Sequence, residues 1–124
     1  MEFKHTPEEA RKLLAEDLRT TDAAQGKECL RNGKSFCCLG RACEVFKKHE
    51  DPRFKYRGSS LSMPEIVQSW YGFETAEGHF WEEPGHRGRR CLTHENDSGK
   101  TFPEIAAIIE SNPPGLFVEP TNAT

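Results

Sequence analysis

The chain has 124 residues, the size of one domain, and can bury about two thirds of its unfolded surface without a disulfide or metal staple. Seventeen Lys and Arg against twenty Asp and Glu leave a net charge of −3, which excludes a generally basic nucleic-acid coat and a polyanion that mimics DNA along its whole length. The longest wholly apolar run, residues 105–109, falls far short of the roughly twenty needed to cross a bilayer, and no apolar stretch follows Met1, so with a mean hydropathy of −0.77 the chain reads as soluble, cytoplasmic and without a secretory signal.

The first helix is announced by Thr6-Pro7-Glu8-Glu9. The Thr hydroxyl accepts from the amide three residues on, the Glu reaches back to the Thr amide, and proline is tolerated in a first turn. Ala10, Leu13, Leu14 and Leu18 then form one apolar stripe. Asn32-Gly33 is a hairpin signal, because both residues accept the positive φ of a type I′ turn. That register sets Arg31 against Lys34, Leu30 against Ser35 and Cys29 against Phe36. Gly40 is expected to break the second strand before a short helix carrying Leu39, Ala42, Cys43 and Phe46 and ending at Lys47, Lys48 and His49. A further strand is expected around residues 54–57. Ser62-Met63-Pro64-Glu65 repeats the capping pattern ahead of Ile66, Val67, Trp70 and Tyr71, with Gly72 as the stop. Residues 74–88 read as a long loop and residues 90–93 as a strand. Asn96-Asp97-Ser98-Gly99 reads as an Asx turn. A third capping box, Thr101-Phe102-Pro103-Glu104, opens the last helix, which Asn112-Pro113-Pro114 ends. The whole is expected to be a compact α+β domain over residues 1–112, three main helices and a short fourth on a small antiparallel sheet. Residues 113–124 are expected to form an extended or disordered tail.

The order of motifs carries a resemblance. Cys29-Leu30-Arg31, Phe36-Cys37-Cys38-Leu39-Gly40 with Cys43, Met63-Pro64 leading to Trp70 and Gly72, and Asn96-Asp97-Ser98-Gly99 running into Phe102 and Ile105-Ala106 form a distinctive series. It resembles a family of small phage and prophage proteins of unknown function that carry a Cys-Cys-Leu-Gly segment and a later Asn-Asp-x-Gly-x-(Ser/Thr)-Phe segment. The resemblance spans about residues 26–110. It implies a viral setting and a role in host takeover or counter-defence, and it implies no particular activity.

Several constellations are candidates for chemistry. Five cysteines, an odd number, argue against a disulfide framework. Cys29, Cys38, Cys91 and His94 are a conceivable zinc set, but no Cys-x2-Cys pair supports it. A cysteine nucleophile has His79, His86 and His94 as potential bases and Asn96 or Asp97 as orienters, with no spacing that links them. Between Trp70 and Arg90 lie five of the twelve aromatic residues and three arginines. Aromatic faces stack on nucleobases and arginine forks match phosphate oxygens. Gly40-Arg41 and Ser98-Gly99-Lys100-Thr101 place cations beside two helix entrances, although the latter lacks the earlier glycine of a phosphate loop, where His94 stands.

The resulting expectation is a non-catalytic phage accessory protein, without metal or cofactor, that acts by stoichiometric binding of a nucleotide-like anion. The residues assigned to that ligand are Trp81, Arg87, Arg89, Arg90, Lys100 and Arg41. One alternative is a protein–protein inhibitor of a host defence complex, of the anti-CRISPR kind, with the same side chains as interface anchors. Another is a thiol or zinc enzyme built on Cys29, Cys38 and Cys91. The partner is thus an anionic small molecule or a host defence protein and not a membrane, with homo-oligomerisation left open.

Overall fold

A computed structural model describes residues 3–83 and 87–118 and, within these, every side chain except those of Glu83 and Arg87. Helix α1 (Pro7–Thr20) starts with the expected box: the Glu9 amide donates to Thr6 Oγ1 at 3.1 Å and the Thr6 amide to Glu9 Oε1 at 2.8 Å. Its buried stripe is Ala10, Leu14, Ala15 and Leu18. The last helix, α5 (Phe102–Ser111), starts in the same way on Thr101 and Glu104, buries Phe102, Ile105, Ala106 and Ile109, and packs along α1. Each large aliphatic side chain buried at this seam contributes about 1.5–3 kcal/mol. The other elements are β1 (Ala24–Gln25), β2 (Arg31–Asn32), β3 (Ser35–Phe36), α2 (Cys38–His49), α3 (Glu65–Tyr71), β4 (His79–Glu83), β5 (Arg87–Cys91) and α4 (Leu92–Asp97). Among the described residues, five helices and two small sheets make this an α+β fold.

The hairpin forms in another register. Arg31 pairs with Phe36 and Asn32 with Ser35, so the loop is Gly33-Lys34 and Gly33 carries the positive φ of 64°. Contacts outside the ribbon set this register. The Arg31 amide donates to Gly58 O at 2.9 Å, the Leu30 amide to Ser60 O at 2.9 Å and the Gly26 amide to Phe36 O at 2.7 Å, while β1 adds a parallel strand to β3. Leu30 is fully buried and anchors the ribbon to the core.

Cys37 does not lie in a strand. It is the N-cap of α2, its sulfur accepting from the Gly40 amide at 3.4 Å, and Gly40 lies in the first turn of the helix. A Cβ on Gly40 would sit 1.8 Å from the Leu30 carbonyl oxygen, so this glycine is a close approach between α2 and the ribbon and not a strand breaker.

Helix α3 lacks the expected capping box. Pro64 occupies the cap position without a side-chain bond, and the Ser62 hydroxyl lies 2.6 Å from Glu77 Oε2. Met63 is buried and its amide donates to Ala76 O at 3.0 Å, which holds Ser62 away from the helix start. Gly72, at φ 76°, closes α3 as expected. Residues 54–57 form no strand; the Phe54 ring packs on Phe46 at 4.9 Å and stacks beside Tyr56 at 5.9 Å.

The stretch expected to be a loop over residues 74–88 contains β4 and the start of β5, and the strand expected at residues 90–93 ends at Cys91, where α4 begins. The C-terminal stretch packs as far as Phe117. Leu116 and Phe117 are buried, the Phe73 and Phe117 rings stack at 4.8 Å, and the Val118 amide donates to Gly72 O at 2.7 Å. The domain therefore continues past residue 112; residues 119–124 of the expected tail lie outside the described part. Trp70 and Tyr71 fill the centre, where the indole N–H donates to Glu50 Oε1 at 2.9 Å and the phenol to Ala42 O at 2.7 Å. No helix among the described residues is long and apolar enough to cross a membrane.

Candidate functional site

The antiparallel ribbon of β4 and β5 sets Trp81 opposite Arg89, Phe80 opposite Arg90 and His79 opposite Cys91. Because side chains alternate along a strand, Phe80 and Arg90 share one face and Trp81, Arg89, His79 and Cys91 the other. Phe80 is buried, so its face is the inner one.

Arg90 is engaged on that inner face. Its Nη2 donates to Glu82 Oε2 at 2.6 Å and its Nη1 to Glu95 Oε2 at 3.0 Å, and these two hydrogen bonds raise its pKa. The Glu95 side chain is only 3% exposed, and Lys100 Nζ stands 3.9 Å from its other oxygen. A carboxylate this deep is tolerated only when it is paired. Arg90 and Lys100 therefore neutralise Glu95 and join β5 to α4. Gly88 makes the arrangement possible: at φ 68° it lacks a Cβ that would lie 2.3 Å from Glu82 Oε1.

The outer face differs. The Arg89 guanidinium lies 5.8 Å over the Trp81 ring, within cation–π range, and no carboxylate among the described residues is within ion-pair distance of it. Trp81 is half-buried and held from behind by the C-terminal stretch, where its amide donates to Pro114 O at 2.8 Å. A Cβ on Gly115 would lie 2.9 Å from its Cδ1. A cleft of about 570 Å³ runs beside this pair, lined by His79, Glu82, Gly88, Arg89, Arg90, Cys91 and His94. A neighbouring hollow of about 350 Å³ includes Trp81, Arg90, Glu95 and Lys100.

Of the residues assigned from sequence, the ribbon thus sets Trp81 and Arg89 together on its outer face, whereas Arg90 lies on the inner face, where it and Lys100 meet Glu95. Arg87 opens β5, but its side chain lies outside the described part of the structure, as does His86. Arg41 belongs elsewhere. It makes a two-pronged contact with Asp17 of α1, at 2.9 and 2.7 Å, lies over the Phe36 ring, and has its pKa raised chiefly by the bond to Asp17. The two helix entrances are closed by the chain itself, through Cys37 on Gly40 and the Thr101–Glu104 box.

The cysteines do not converge on a common centre. Cys38 Sγ lies 3.6 Å from Leu92 O, Cys29 Sγ 3.5 Å from Arg31 O and Cys91 Sγ 3.2 Å from Thr93 Oγ1. Among the described residues no group of three His, Cys, Asp or Glu is placed to hold a metal ion. Burial pushes the Cys37, Cys38 and Cys43 thiols up, which disfavours a thiolate. The second groove of the molecule, about 540 Å³ between α1 and α5, has its arginines engaged: Arg19 pairs with Glu110, and Arg11 donates to Tyr71 O and covers Phe117.

Sequence reasoning overlooked the role of Asn96. It belongs to α4 and not to an Asx turn, and it is buried. Its Oδ1 accepts from the Cys38 amide at 3.1 Å and Gln25 Nε2 at 2.8 Å, and its Nδ2 donates to Gly26 O at 2.7 Å and to Asp97 Oδ1 at 3.1 Å. One amide thus joins β1, the start of α2 and α4. Its partners in the first two elements lie 58 to 71 residues away, so no local pattern announces them.

Fold and site together define a small α+β domain whose ribbon presents an arginine over an indole. A family model described as Domain of unknown function (DUF8296) matches residues 8–113, and the chain belongs to that family. No curated protein and no solved structure matches it.

Proposed function

We propose that the chain is a non-catalytic phage accessory protein, working in counter-defence by stoichiometric capture of a nucleotide-like anion on the outer face of the ribbon. The observation that carries this reading is the placement of Arg89 over Trp81 beside the cleft, with no carboxylate among the described residues within ion-pair distance of Arg89. An aromatic face of this kind contributes about 1–3 kcal/mol to the stacking of a base, and a guanidinium supplies two parallel donors to a phosphate. Capture needs affinity alone, which suits a cleft whose described carboxylate, Glu82, is paired with Arg90. The phage setting comes from the order of sequence motifs.

A thermal-shift panel of mono-, di- and cyclic nucleotides tests the reading. A ligand present at about a hundred times its Kd stabilises the fold by about 2.7 kcal/mol. The shift should disappear in Arg89→Ala, a surface change that removes no ion pair among the described residues. Absence of any shift across the panel, or an undiminished shift in Arg89→Ala, overturns the assignment.

A further inference from the structure

We infer that the outer edge of β5 is a strand-addition site for an extended, acidic segment of a partner protein. The inference goes beyond capture of a small anion, since it concerns the backbone of the ribbon and not its cleft.

Among the described residues the sheet has two strands, and their outer edges differ. On the β4 side the Trp81 amide is taken by Pro114 O. That bond also fixes the geometry of the ribbon. A Trp81 N–H directed away from β5 makes Trp81 and Arg89 a non-hydrogen-bonded pair. The Leu92 amide donates to Gly78 O at 3.0 Å, which is the parity this requires. The Arg89 N–H and C=O and the Cys91 N–H therefore point away from β4. Among the described residues none of these three groups has a hydrogen-bond partner. Arg89 is exposed. An unpaired strand edge of this kind is a template for another strand.

Charge selects the occupant. The edge sequence is Arg87-Gly88-Arg89-Arg90. Arg90 turns inward to Glu82 and Glu95, whereas Arg89 is free of carboxylates among the described residues. Two copies of β5 laid edge to edge would set arginine against arginine, and like charges directly opposite are destabilising. A segment with carboxylates at alternate positions would instead place them on the face shared by Arg89 while its own backbone meets Arg89 and Cys91.

The test uses the full chain and capped peptides that alternate Glu or Lys with Val. Amide hydrogen exchange at Arg89 and Cys91 should slow about tenfold or more with the Glu peptide at saturating concentration and remain unchanged with the Lys peptide. Arg89→Glu keeps the backbone edge and should reverse the preference, while Arg89→Pro removes one donor and should weaken binding about tenfold. Equal response to both peptides, binding without protection of these amides, or protection that grows with protein concentration alone overturns the inference. A nucleotide that stabilises the fold leaves these amides unprotected, so each of the two readings fails by its own signal.

Discussion

Gly40 and Asn96 show how much of this fold rests on single atoms. The Leu30 carbonyl oxygen occupies the space a Cβ on Gly40 would need, and the same oxygen accepts from the Cys37 amide at 3.1 Å. A side chain there must displace backbone, and the displaced carbonyl would lose its bond to the residue that caps α2. Gly40→Ala is therefore expected to cost about 3 kcal/mol or more, read as a lowered urea midpoint. The glycine was visible in the sequence and its reason was not. A break between strand and helix and a steric near-contact both demand glycine, and only the position of residue 30 distinguishes them. Asn96 makes the same point with hydrogen bonds. Its neighbours in sequence suggest a turn, while the partners that hold it come from β1 and α2.

Helix starts separate interactions within one turn from those across the molecule. Thr6 and Thr101 cap α1 and α5 as their sequences require, because both boxes are exposed and nothing else competes for the hydroxyl. Thr101→Ala should destabilise the protein by about 1 kcal/mol in chemical denaturation. Ser62 carries the same pattern and makes no cap, since buried Met63 and the Ser62–Glu77 contact anchor the chain first. The hairpin follows suit. Asn32-Gly33 marked a turn correctly, yet pairing with β1 and with the residue 58–60 segment moved the loop by one residue to Gly33-Lys34. The sequence of β4 and β5 reads as loop because its strands are rich in Glu, Arg and Gly and lack the expected alternation of apolar and polar residues. Its order comes from cross-strand pairs and from Glu95 beneath.

The whole molecule sorts its thiols by depth and its charges by neighbour. Cys37, Cys38 and Cys43 are sealed in the core, while Cys29 and Cys91 are partly exposed. A thiol reagent added to the native protein should modify only Cys29 and Cys91, and all five should react after denaturation, with mass spectrometry locating the adducts. Early modification of Cys38 would contradict the packing around Leu92. The net charge of −3 says nothing of which arginines stand clear of the acids among the described residues. That requires knowing that Arg41 is matched by Asp17, Arg19 by Glu110 and Arg90 by Glu82 and Glu95.

The amphipathic helices α1 and α5, their caps, the glycine that ends α3 and the α+β character of the chain could all be read from residue order, because they depend on groups within about one turn of each other. The register of both ribbons, the use of Gly40, the burial of the C-terminal stretch and the placement of Arg89 over Trp81 were settled only by folding. Their partners range from residues adjacent in the ribbon to residues 71 positions away, and a hydrogen bond or ion pair goes to whichever group packing brings within reach. Local propensity is a property of a segment, whereas the pairing of a charge depends on every element packed around it.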